Sequence, residues 1–235
     1  MPVTLFTPAI GPLPVAAPAS LVAYLTSIGK ASWYGQYLAT AGKSANSDGS
    51  GSVADGGAVG KWAANQAVGW TASFIQPTAA SRPLFSTSVS TLGPVIYGNG
   101  TSATLYLDQA TALDKDCTVL VSTETLNAYG YLFTQNMDNW SYYTQAGQPA
   151  LTYYAGSPAT GANLTQSDNR DGTATNWQFY RRLAISSGTS TARYGQPFRL
   201  LGTASGSFTA HRIAELWFVP KLTRAECNKA LAYLI

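Results

Sequence analysis

The sequence predicts an all-β fold, an antiparallel two-sheet sandwich with one short helix near each end. Three observations predict it. Only 11% of the residues are charged, against about 25% in ordinary soluble domains, which leaves too few charges for long salt-bridged surface helices. There are 22 Gly and 12 Pro in 235 residues, and many stand near Ser and Thr, as in chains of short strands joined by turns. Aromatic residues make up 12%, and they fall in short runs of β-formers. All-β sandwiches routinely reach this length as one domain, large enough to bury a full core without staples.

Residues 1–18 read as an extended arm. Pro2, Pro8, Pro12, Pro14 and Pro18 block helix formation and central-strand pairing and favour polyproline II. Val3, Leu5, Phe6, Ile10 and Leu13 favour contact over free solvation, either along the arm's own domain or on a neighbouring subunit. The arm also lacks the basic start and unbroken apolar centre of a secretion signal. No run of 18 apolar residues predicts a membrane span.

The remaining residues, 19–235, read as the sandwich domain. A helix is expected over 19–28. Ser20 caps it, Leu21, Tyr24, Leu25 and Ile28 share one face, and Gly29 ends it. Residues 43–60 (KSANSDGSGSVADGGAVG) lack apolar periodicity and read as a Gly/Ser-rich loop, mobile or wrapped on the surface. Short β runs follow. Pro94–Tyr97 leads through Gly98-Asn99-Gly100 into Thr104–Leu107, a hairpin signal. Further runs are Cys117–Thr123, the alternation around Tyr129, Tyr131 and Phe133, then Gln178–Ile185, Phe198–Leu201 and Arg212–Val219. The chain closes on a helix over 224–234. Thr223 and Glu226 have capping-box spacing, and Cys227, Ala230, Leu231 and Leu234 keep helical spacing.

Composition excludes several chemistries. With 14 Lys plus Arg, 11 Asp plus Glu and a net charge of +3, no basic stripe exists for nucleic acid, and no phosphate-cradling Gly motif precedes a helix. Two Cys and one His are too few for a Cys/His zinc site. Cys117 and Cys227 pair only if the fold brings them together; buried free thiols are the commoner state. His211 has no nucleophile elbow to serve. The sequons at Asn99, Asn139 and Asn163 read as chance in a Ser/Thr-rich chain. No cofactor is expected.

Glycoside hydrolysis needs two carboxylates about 5–10 Å apart. The only glutamates are Glu124, Glu215 and Glu226, and none has an acidic residue within five positions. Glu226 already suits a helix cap. In IAELWF, alternation sets Glu215 opposite Leu216 and Phe218, which reads as a structural carboxylate paired with Arg or backbone amides. The absence of an acid pair predicts no enzyme. Asp168, Asn169 and Asp171 in SDNRDG are a thin calcium candidate, since Asp and Asn also favour turns.

One feature suits recognition. Tyr129, Tyr131, Phe133, Trp140, Tyr142, Tyr143, Tyr153 and Tyr154 crowd into 26 residues. They are either β-formers filling a core or an exposed patch for sugars or partners. The most loop-like part is Trp140, Tyr142 and Tyr143 beside Asp138 and Asn139, where rings would stack on sugars and the polar groups would bind hydroxyls.

Three segments resemble the concanavalin A-like, laminin-G-like jelly-roll superfamily: KWAANQAVGWTASFIQPTAASRPLF (61–85), PVIYGNGTSATLYL (94–107) and HRIAELWFVPKLTRAECNKALAYL (211–234). They stand in the family's order. IGKASWYGQ (28–36) is similar to the start of the phage and prophage versions, which continue Trp-Tyr with an acidic residue where Gly35-Gln36 stands here. The resemblance implies a two-sheet jelly roll. With the missing secretion signal and acid pair, it leads to the expectation of a virion structural protein of a tailed phage, a capsid decoration or tail fibre component. Expected partners are other virion proteins through the arm, host glycans, and further copies in a homo-oligomer. A free glycan-binding lectin is the alternative, and a glycanase the least favoured reading.

Overall fold

The computed structural model describes residues 19–98, 103–108, 116–126, 130–135, 140–145, 148–155, 166–171, 179–187, 197–202 and 211–235. They form two antiparallel sheets and two short helices. The first sheet runs in the order β13 (Gln166–Asp171), β14 (Phe179–Ser186), β9 (Cys117–Thr125), β16 (His211–Pro220), β1 (Tyr34–Leu38) and β4 (Gln66–Val68). A side branch of β7 (Val95–Tyr97) and β6 (Leu84–Ser86) also pairs with β16. The second sheet runs β12 (Gln148–Ala155), β11 (Trp140–Gln145), β10 (Gly130–Gln135), β15 (Phe198–Leu200), β8 (Leu105–Leu107), β5 (Ser73–Ile75), β3 (Lys61–Ala63) and β2 (Lys43–Ser44).

Strand alternation decides what each sheet buries. In β9, Cys117, Val119 and Val121 enter the core between the sheets, while Leu120 points to the other face. Phe218 and Tyr37 from the first sheet meet Phe74, Trp62 and Phe198 from the second, with ring centroids 4.9–6.0 Å apart. Each such fully buried aromatic contributes roughly 1.5–3 kcal/mol over leaving it in water.

The central strands β9 and β16 of the first sheet are buried on both faces. The outer face of this sheet carries Tyr34, Leu120, Ala184, Trp217 and Val219, covered by helices α1 (Leu21–Ser27) and α2 (Arg224–Ala230) and the 3-10 turn Leu231–Tyr233. Ser20 accepts a hydrogen bond from Ala23 N at 3.2 Å to cap α1. Thr223 and Glu226 form the capping box of α2, with Thr223 N donating to Glu226 Oε2 at 2.7 Å.

A bulge at Ala214 organises β16. The register with β9 shifts between Ile213 and Glu215. Before the bulge β16 pairs with β7 and after it with β1, and Ala214 O accepts from Ala39 N at the junction. The extra residue flips the alternation. Ile213, Leu216 and Phe218 therefore face the inter-sheet core, while Trp217 and Val219 face the helices.

Several expectations need correction. The hairpin expected across Gly98-Asn99-Gly100 does not form: β7 belongs to the first sheet and β8 to the second. Ile96, Leu105 and Leu107 all enter the inter-sheet core, so the connection carries the chain from one layer to the other. The stretch 43–60, read as a loop either mobile or wrapped on the surface, is held down along its length, with Ala45 N to Gly51 O, Gly56 N to Phe85 O and Val59 N to Pro83 O. SDNRDG, read as a turn, runs as strand β13 as far as Asp171 and pairs with β14. The two cysteines agree with the sequence reading: Cys117 and Cys227 are free and buried, in separate cores on opposite faces of the first sheet.

Candidate functional site

The outer face of the first sheet brings polar side chains together beside the helices. Glu215 is 3% exposed. Its Oε1 accepts from Gln36 Nε2 at 2.9 Å and from Trp217 Nε1 at 2.7 Å, and its Oε2 accepts from Ile235 N at 2.8 Å. Trp217 reaches Glu215 because residues two apart on a strand share a face. Ser122, opposite Glu215 on β9, and Arg182, opposite Ser122 on β14, hold the carbonyl of Ile235 from Oγ at 2.7 Å and Nε at 3.2 Å. Three adjacent strands thus pin one residue, Ile235, across the sheet.

Between the start of α1, strands β1 and β4 and the last 3-10 turn lies a cleft of about 560 Å³. Glu215, Gln36, Gln66, Trp217 and Tyr233 line it. Gln36 and Gln66 are register partners, and Gln36 Oε1 accepts from Asn65 Nδ2 at 3.2 Å. Gly35 and Gln36 each have a local role. A Cβ at Gly35 would stand 2.2 Å from Trp70 Cδ1, and Gln36 supplies the amide that holds Glu215.

The other two glutamates are also engaged. Glu124, 1% exposed, pairs with Arg212 at 3.0 Å. Arg212 also donates to Val89 O. Glu226 caps α2. Burial pushes the nearby Cys227 thiol up to about 11, so it stays protonated as a small apolar group. His211 is buried at the start of β16.

The recognition residues expected from sequence fall elsewhere. Trp140, Tyr142 and Tyr143 lie in strand β11, not in a loop. The reason is their β propensity: aromatic residues fit a pleated, half-buried surface. Trp140 stands opposite Gln135 and Tyr142 opposite Phe133, both buried residues of β10. Asp138 and Asn139 lie outside the described residues, as do Val3, Leu5, Phe6, Ile10 and Leu13 of the arm. The calcium candidates Asp168, Asn169 and Asp171 are consecutive or alternate positions of β13. Among the described residues no three His, Cys, Asp or Glu side chains gather as metal ligands. Nor is any helix among them long and apolar enough to cross a membrane.

The cleft itself was missed from sequence. The Glu215–Trp217 spacing was its one legible signal. Gln36 and Gln66 reach it only through pairing between distant segments. No family model, curated protein or solved structure matches the chain.

Proposed function

We propose that this protein is a non-enzymatic structural protein of a virus particle of the tailed-phage type, a capsid decoration or tail fibre component built on a concanavalin A-like jelly roll. The observation that carries the non-enzymatic reading is the employment of all three glutamates. Glu124 is held in an ion pair, Glu215 in three hydrogen bonds and Glu226 in a capping box. Glycoside hydrolysis needs two carboxylates about 5–10 Å apart, and each of these three is held in a bonded set of its own. The segment resemblances and the phage-like leader support the particle assignment. The Pro-rich arm is the attachment to neighbouring virion proteins.

Density-gradient fractionation of a lysate from producing cells tests this. The chain should travel with particles, and deletion of residues 2–18 should move it to the soluble fractions. A full-length chain found only in soluble fractions refutes the proposal. Mass spectrometry of polysaccharides incubated with the pure protein should show no cleavage.

Glycan binding is the second reading, and one observation favours it. Strands β11 and β12 set Tyr142 opposite Tyr153 and Ser141 opposite Tyr154 at the edge of the second sheet, so aromatic residues concentrate on two adjacent strands. A glycan array with hits that Trp140→Ala abolishes would support it, and an array without hits would remove it.

A further inference from the structure

We infer that the cleft over Glu215 is a binding site for a small organic cation, a primary ammonium group on a short alkyl chain. This inference stands apart from the particle assignment.

A buried carboxylate is normally matched by a cation, because removing its charge from water is costly. Glu215 is 3% exposed, and among the described residues no Lys, Arg or His nitrogen forms an ion pair with it. The described cation in its cross-strand row, Arg182, donates to the carbonyl of Ile235 instead. Neutral donors hold the charge in place. A carboxylate has about four acceptor positions. Gln36 and Trp217 fill two on Oε1 and the Ile235 amide fills one on Oε2. One position on Oε2 is left.

The surroundings suit an ammonium better than a metal ion. Besides Glu215, the lining side chains are two amides, two aromatic rings, the Ser20 hydroxyl and apolar groups, whereas a hard cation needs six or more oxygens. Trp217 and Tyr233 add aromatic wall. Gln66, exposed on β4, offers an amide oxygen at the rim. Val22 and Ala232 supply apolar wall for an alkyl chain.

The test is an NMR titration of the full chain with n-butylammonium, following the indole N–H of Trp217, which bonds directly to Glu215. n-Butanol is the neutral control of equal length. A saturable shift is expected with the amine, and at least tenfold weaker binding with the alcohol. Glu215→Gln keeps the shape and removes the charge, and should weaken amine binding at least tenfold. Ala232→Trp fills the cleft from an exposed position and should do the same while leaving every Glu215 bond intact, so it decides the matter if Glu215→Gln fails to fold. No saturable shift in the wild type, equal binding of the alcohol, or undiminished binding by Ala232→Trp would each overturn the inference.

Discussion

At the scale of single residues, polar groups inside this protein are fixed by partners far away in sequence. Tyr37 is fully buried; its hydroxyl donates to Ala72 O at 2.7 Å and accepts from Trp70 Nε1 at 2.7 Å. Glu215 joins β1, β16 and Ile235 in the same way. Leaving a buried donor unsatisfied costs about 1–3 kcal/mol, more when a charge was involved. Glu215→Ala strands the Trp217 indole, the Gln36 amide and the Ile235 amide together. It should lower stability by roughly 3 kcal/mol or more, read as a lower urea midpoint at unchanged slope. Gly35→Ala acts by volume instead. The new Cβ stands 2.2 Å from Trp70 Cδ1 and 2.4 Å from Nε1. The indole must move, although it stacks on Phe218 at 4.9 Å and donates to Tyr37. Overpacking of this kind costs about 1–3 kcal/mol. A loss below about 0.5 kcal/mol in equilibrium unfolding would show that Trp70 yields freely, against what is measured for well-packed cores.

At the scale of elements, the helices are too short to stand alone, since isolated helices below about 12–15 residues are marginal in water. Both α1 and α2 have 7 residues. Their caps and their burial against Leu120, Ala184 and Trp217 hold them. Thr223→Ala removes the side chain that accepts from Glu226 N and should cost about 1 kcal/mol. Amide exchange should quicken first in α2 and leave β9 and β16 protected, because the loss is local. The caps were legible, being written in three or four adjacent residues. The β7–β8 connection was not. A Gly-Asn-Gly signal states that the chain turns; which sheet each flanking strand joins depends on pairing with β16 and β5, set by residues over a hundred positions away for β7.

At the scale of the whole molecule, the first sheet serves two cores, and both contain groups that resist ionisation. Burial raises the phenol of Tyr37 well above its ordinary value and pushes the Cys227 thiol up to about 11. In the unfolded chain these groups release protons at about 10 and 8.5, before they do in the folded one. Their contribution to stability is therefore complete below those values and lost as pH rises through the folded ones. Urea midpoints should hold level near pH 8 and fall from about pH 9 upward, and Cys227→Ala should flatten the first part of that fall. The two thiols, on opposite sides of one sheet, should react with a thiol reagent only after unfolding, giving two equivalents, and mobility on gels should not depend on reductant. By itself the sequence determined the class of fold, the helix caps, the long strands β9, β14 and β16, and the facing of Glu215 away from Leu216 and Phe218, because each follows from neighbours in the chain or from a period of two. Tertiary structure alone decided the Ala214 bulge, the separation of β7 from β8 and the cleft over Glu215. These depend on which distant strands pair and on how two buried faces share one sheet, and local propensity carries no information about either.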